Sequence, residues 1–128
     1  MIKLILSENT MKDAMSLIDG FIKDCEINSE KSIKVRLVFE ELAANVFQHA
    51  KLSSSTYLKI GLSKDDDEIN IIMKYDGEPF DPVSYREKDE PDITKKRLGG
   101  SGLIIVRQMS KSIEYVRKEM DNVVSVCI

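Results

Sequence analysis

Hydrophobic and polar positions follow two different rhythms along this chain, and their order predicts a set of elements. From residue 11 the apolar side chains Met11, Ala14, Met15, Ile18, Phe21, Ile22 and Cys25 recur at helical spacing, predicting an amphipathic helix with one buried face. Asn9 or Thr10 suits its N-cap, and Ser29 suits the cap of a second helix over residues 30–50. In that second helix Val35, Val38, Phe39, Leu42 and Val46 form an apolar arc. A period of two then takes over. Thr56, Leu58, Ile60 and Leu62 share one face of residues 56–63, and Ile69, Ile71, Met73 and Tyr75 share one face of residues 68–75. Lys64-Asp65-Asp66-Asp67 between them reads as a hairpin turn. Residues 77–99 lose all periodicity and carry Pro79, Pro82 and Pro91, a polar loop longer than a small domain ordinarily tolerates without a use for it. Gly100-Ser101-Gly102 opens a helix through about residue 111, and two strands at 113–117 and 123–128 turn around Met120-Asp121-Asn122. With a short strand at residues 3–6, the order is helices, antiparallel strands, and one helix inserted before the closing hairpin. It predicts an α+β fold, a two-layer α/β sandwich with about three main helices on one face of a mixed, mostly antiparallel sheet.

Composition narrows the function classes. The chain has 128 residues, 42% of them hydrophobic and 32% charged, enough for one domain with a core and unlike a disordered segment. Its 22 acidic against 19 basic residues leave a net charge of −3, which argues against a general nucleic-acid binder. No apolar run approaches the roughly 20 residues of a bilayer span. The first apolar stretch ends at Leu6, too short for a signal-peptide core. Cys25 and Cys127 lie far apart and match no CxxC or disulfide framework, so buried thiols in a reducing cytoplasm are expected. A single histidine and two cysteines argue against a zinc site.

Three polar features carry chemistry. Glu41, Asn45 and His49 are each four residues apart and stack along one edge of the apolar arc. In that half-buried setting a carboxylate can orient or deprotonate a nucleophile, and an amide oxygen can hold a hard cation such as Mg²⁺. The plainer reading is a solvated helix flank. Glu40 faces further round towards water, and His49 reads as an ordinary histidine near a helix end. Secondly, Gly99-Gly100-Ser101-Gly102 precedes the apolar run Leu103-Ile104-Ile105-Val106. Glycines admit close approach of a phosphate, and a helix N-terminus offers unpaired N–H groups. The spacing is neither a Walker A loop nor a dinucleotide-binding fingerprint, and a simple glycine-rich turn fits as well. Lys95, Lys96 and Arg97 just upstream suit phosphate oxygens or a solvated lid. The third feature, Tyr75-Asp76-Gly77-Glu78-Pro79-Phe80-Asp81-Pro82 after the second alternating strand, is by itself a turn.

Taken in order, Glu-x-x-x-Asn on a helix, Asp-Gly-x-Pro-Phe-Asp-Pro after a strand, a polar lid and Gly-Gly-x-Gly-Leu opening a helix resemble the GHKL (histidine-kinase-like) ATPase superfamily. The likeness runs from about Lys3 to Ile128 and includes Pro91-Asp92-Ile93 and Ile113-Glu114-Tyr115. Lid length and compact size look most like the bacterial anti-sigma-factor serine/threonine protein kinases. The resemblance implies a Bergerat-type sandwich as one domain over residues 1–128, with an ATP lid at about 78–99 and cofactors ATP and Mg²⁺. It implies Glu41 as general base and Asn45 as Mg²⁺ ligand. It also implies Gly77 beneath the adenine, and Gly100 and Gly102, with Arg97, Ser101 and Leu103 beside them, at the phosphates. The implied partners are an antagonist protein with an acceptor serine, a sigma factor or similar regulator, and a second copy in a homodimer, with no direct nucleic acid or membrane contact. One position departs. The superfamily places an adenine-binding aspartate two residues before the motif glycine, where this chain has Tyr75. Alternation puts Tyr75 on the pocket side with Ile71 and Met73, and Asp76 on the other. Its phenol either accepts a weaker bond from the base or fills part of the base's space. Three functions follow as expectations. The first is a protein serine kinase in a partner-switching pathway, and the second is a catalytically degenerate binding module of the same circuit. The third and least favoured is the ATPase module of a two-component system, for want of a preceding helix with a phospho-acceptor histidine.

Overall fold

The two rhythms become helices and strands in a computed structural model that describes residues 2–5, 10–49, 57–82 and 102–128. The elements are β1 (Ile2–Ile5), α1 (Thr10–Asp24), α2 (Ser29–His49), β2 (Tyr57–Asp65), β3 (Glu68–Asp76), α3 (Gly102–Met109), β4 (Ser112–Lys118) and β5 (Asp121–Cys127). The α+β sandwich expected from the element order is the fold observed.

Local chemistry sets the helix ends. At the end of α1, Ile27 N–H donates to the Ile22 carbonyl (3.1 Å) and Glu26 N–H to the Lys23 carbonyl (3.2 Å), with Glu26 at φ 52°. That is a Schellman stop, with glutamate in the left-handed position glycine usually takes and Ile27 above Ile22. The next helix is capped by Asn28, whose Oδ1 accepts from Lys31 N–H at 2.8 Å. Ser29, expected as the cap, is instead the first helical residue, because an asparagine one position earlier reaches the free N–H groups equally well.

Five strands form one sheet in the order β1-β2-β3-β5-β4, and every pairing is antiparallel. The expectation of a mixed sheet is corrected to that extent: each described strand neighbours only strands that run the opposite way. Register aligns Leu58, Tyr75, Asn122 and Arg117 in one row, Ile60, Met73, Val124 and Tyr115 in the next, and Leu62, Ile71, Val126 and Ile113 in a third. These rows make the apolar face. Ala14 and Ile18 of α1, the α2 arc from Val35 to Val46, and Val106 of α3 join them in one buried cluster. All three helices therefore cover the same face, and each large side chain buried there contributes about 1.5–3 kcal/mol. The opposite face carries Lys59, Lys74, Glu114 and the part-exposed Ile72 and Val116. Among the described residues no helix is long and apolar enough to cross a membrane.

Candidate functional site

The apolar arc of α2 fixes the rotation of that helix and thereby the environment of its polar edge. Val35, Val38, Phe39, Leu42 and Val46 are fully buried. Asn45 lies between Leu42 and Val46 on the inward side and is only 2% exposed. Its amide Nδ2 is buried and has no hydrogen-bond partner among the described residues. One turn earlier Glu41 is half-buried, and its carboxyl is pushed above the ordinary range, first by burial and then by the neighbouring charge of Glu40. Glu40 itself is exposed, as its place on the helix predicts. A carboxylate of raised proton affinity one turn from an unpaired amide is a polar pair that the protein leaves incomplete. His49 is the last residue of α2.

A second polar cluster closes the end of β3, and here the side chains bond to the loop itself. Tyr75 is fully buried, and its hydroxyl donates to the Phe80 carbonyl at 2.6 Å. Burial, with Tyr115 and Asp81 nearby, pushes the phenol pKa far upwards, so it stays neutral. Gly77 turns the chain with φ 103°, a left-handed value that suits glycine. Its carbonyl accepts from Arg117 Nη1 at 2.7 Å. Asn122, also fully buried, donates from Nδ2 to the carbonyls of Tyr75 (3.2 Å) and Glu78 (3.3 Å). Its Oδ1 accepts from Phe80 N–H (3.0 Å) and the Tyr115 hydroxyl (2.5 Å). The loop after β3 is thus tethered by side chains of β4 and β5. Asp76 points to the other face, where its Oδ1 accepts from Tyr57 N–H at 3.1 Å.

The last component is α3, which begins at Gly102, buries Val106 and packs against α2. Among the described residues, open grooves of about 400 Å³ between α1 and β2 and about 580 Å³ on the outer sheet face lie elsewhere, and neither is lined by Glu41, Asn45 or Tyr75.

The sequence profile of the histidine kinase-like ATPase domain matches residues 6–128. The chain belongs to that family. As a histidine kinase-like ATPase domain it shares its fold with the histidine kinase domain of the blue-light activated histidine kinase of Erythrobacter litoralis EL346. The TM-score is 0.53 at 20% identity, covering 77% of this chain and 44% of that one. The chain therefore spans less than half the length of that solved chain, and the likeness is one of fold. Among curated proteins no significant match is found.

For this histidine kinase-like ATPase domain, the motif residues fall as follows. Glu41 and Asn45 sit one turn apart on α2, Tyr75 ends the apolar row of β3 with Gly77 just beyond, and Gly102 opens α3 with Leu103 next. Arg97, Gly100 and Ser101 lie outside the described residues, as do Lys95, Lys96 and positions 83–99 of the expected lid. Asn122 and Arg117 were not among the expected site residues. The sequence places Asn122 in a turn, but the turn is Glu119–Met120, and Asn122 is the second residue of β5. The signal was present: counting back by twos from Val126 and Val124 puts residue 122 on the core face.

Proposed function

We propose that this domain binds Mg²⁺–ATP between α2 and the N-terminus of α3. It passes the γ-phosphoryl group to a serine of an antagonist protein in a partner-switching circuit that controls a sigma factor. The observation that carries the reading is the buried Asn45, whose Nδ2 has no partner, one turn from the Glu41 carboxyl, whose pKa is raised by burial. Both fit the missing groups. The Asn45 side-chain oxygen is a hard donor of the kind Mg²⁺ takes, its unpaired Nδ2 can donate to a phosphate oxygen, and Glu41, its proton affinity raised by burial, suits a proton acceptor. When bound, ATP supplies the phosphoryl group and Mg²⁺ offsets the charge on its oxygens. Glu41 orients the acceptor serine and takes its hydroxyl proton as the serine oxygen bonds to the γ-phosphorus and the bond to the β-phosphate oxygen breaks. Backbone N–H groups at the start of α3 stabilise negative charge by direction and proximity. A homodimer of such domains, each with its own cleft, belongs to the same proposal.

A second reading is favoured by the closed cluster around Tyr75. If the ring occupies the space a base would need, the domain is a binding module that switches partners without chemistry. Calorimetric titration with Mg²⁺–ATP and Mg²⁺–ADP separates the two. Binding that Asn45→Ala abolishes supports the kinase reading, and absence of any heat at millimolar nucleotide sinks it. Glu41→Ala is expected to keep binding nearly intact while suppressing phosphate transfer to a serine-bearing substrate.

A further inference from the structure

Gly20 and Gly61 stand where glycine is a poor choice. Gly20 is in the interior of α1 and Gly61 in the interior of β2, and glycine weakens both kinds of element relative to a residue with a side chain. Neither takes a positive φ, so the backbone does not require them. A Cβ on Gly20 would meet nothing within 4 Å, so no neighbour among the described residues requires that glycine either. Both line the same open groove of about 400 Å³ between α1 and β2.

One wall of that groove is a half-paired sheet edge. β1 pairs with β2 only from Tyr57 to Ile60, whereas β2 pairs with β3 as far as Asp65. Residues 61–65 therefore have a strand on one side and, among the described residues, none on the other. An extended chain laid there would meet the outward N–H and C=O groups of β2 and run in line with β1. The opposite wall is α1, through Leu17, Gly20, Phe21 and Asp24. Phe21 and Leu62 pack on the core and give the groove an apolar floor. A glycine in each wall lets a peptide backbone approach more closely than any side chain would allow. Charge marks one end. Asp24 is the ionisable side chain that lines the groove, and Asp65, Asp66 and Asp67 follow where β2 ends. Lys64, beside them, is engaged with the Cys25 carbonyl at 3.4 Å.

We propose that this groove takes a short extended segment of another protein, apolar in alternation and carrying a basic residue, as an added strand beside residues 61–65. A tail or loop segment fits better than a strand of a second folded sheet, because β1 already fills the edge up to Ile60. The groove is not lined by Glu41 or Asn45, so the proposal stands or falls independently of nucleotide binding.

The test titrates the full chain with a short synthetic peptide of alternating valine and threonine ending in arginine, and with its glutamate-ended counterpart, followed by amide NMR and hydrogen exchange. The arginine peptide is expected to shift the amides of residues 17–24 and 61–65 and to slow exchange within residues 61–65, the signature of backbone pairing. The glutamate peptide is expected to bind about two- to fivefold more weakly, an order that Asp24→Lys inverts. Gly20→Leu fills the groove and abolishes binding, while Gly20→Ala raises the melting midpoint of the free chain by about 3–5 °C. No shift with the arginine peptide at millimolar concentration overturns the proposal, as does binding that leaves exchange within residues 61–65 unchanged. A lower melting midpoint in Gly20→Ala overturns it too, since the glycine then serves the fold itself. So does self-association of the chain that Gly20→Leu dissolves, since a second copy is then the occupant. The peptide titrations of the unmutated chain decide the matter even if a variant fails to fold.

Discussion

Replacing Asn122 with alanine removes four hydrogen bonds at once, and the structure says what each loss costs. The bond to the Tyr75 carbonyl is buried, so its acceptor is left without water or partner, a cost of about 1–3 kcal/mol. The bonds to Glu78, Phe80 and Tyr115 are part-buried, and water replaces them in part, at about 0.5–1.5 kcal/mol each. A total of about 2.5–7.5 kcal/mol follows, a large share of the roughly 5–15 kcal/mol that holds a domain together. For a chain of this size the melting midpoint falls by about 10–30 °C. Urea denaturation followed by circular dichroism reads the change as a lower midpoint at unchanged slope. A double-mutant cycle sharpens it. Tyr115→Phe alone is expected to cost about 1 kcal/mol, and almost nothing once Asn122 is already alanine, since both act in one bond. A cost below about 1 kcal/mol for Asn122→Ala, or strict additivity with Tyr115→Phe, would refute the account of this residue as the tether of the loop.

Other substitutions probe the remaining features. Asn45→Leu is expected to stabilise the ligand-free domain by about 1–3 kcal/mol, because it removes a buried Nδ2 with no partner, while abolishing stabilisation by Mg²⁺–nucleotide; thermal melts with and without nucleotide show both. Glu41→Gln should raise the melting temperature at pH 7. The folded-state pKa of Glu41 lies above the ordinary 4.5, so the ionised carboxylate destabilises the fold above that raised value. The cost is relieved as the pH falls through it, and at pH 4 the gain from glutamine vanishes. Gly77→Ala places a Cβ on a backbone at φ 103° and should cost about 1–3 kcal/mol, seen as a lower urea midpoint. Phe39→Ala empties a fully buried site and should cost about 3–5 kcal/mol by the same measurement.

The apolar arc of α2 and the alternation of Ile69, Ile71, Met73 and Tyr75 were legible because burial imposes the period on the sequence directly. The same alternation put Tyr75 inside and Asp76 outside, as found. Polar residues misled wherever their role was to satisfy the backbone. Asn122 looked like a turn residue because asparagine usually is one. In the structure Glu119, at φ 52°, and Met120 make that turn, and Asn122 is buried because four partners offset its desolvation. Asn28 displaced Ser29 as the cap of α2 for a similar reason, since both side chains are competent and one residue of helix length decides. The tether from Arg117 to Gly77 spans 40 positions and leaves no local pattern at all. The Glu41–Asn45 pair was found by spacing, but only the fold reveals that one amide is unpaired and one carboxyl shifted.

The position of β5 has a consequence for how the molecule comes into being. This strand fills the slot between β3 and β4, and Ile128 exchanges two backbone bonds with Ile69 at 2.8 and 2.9 Å. It is also the last of the described elements to leave the ribosome. Until it arrives, β3 presents a bare edge and β4 has nothing to zip against, so the nascent domain waits with an open seam that other chains can pair with. A synthetic peptide copying residues 121–128 would contend for that seam during refolding and have no entry once the native strand is seated.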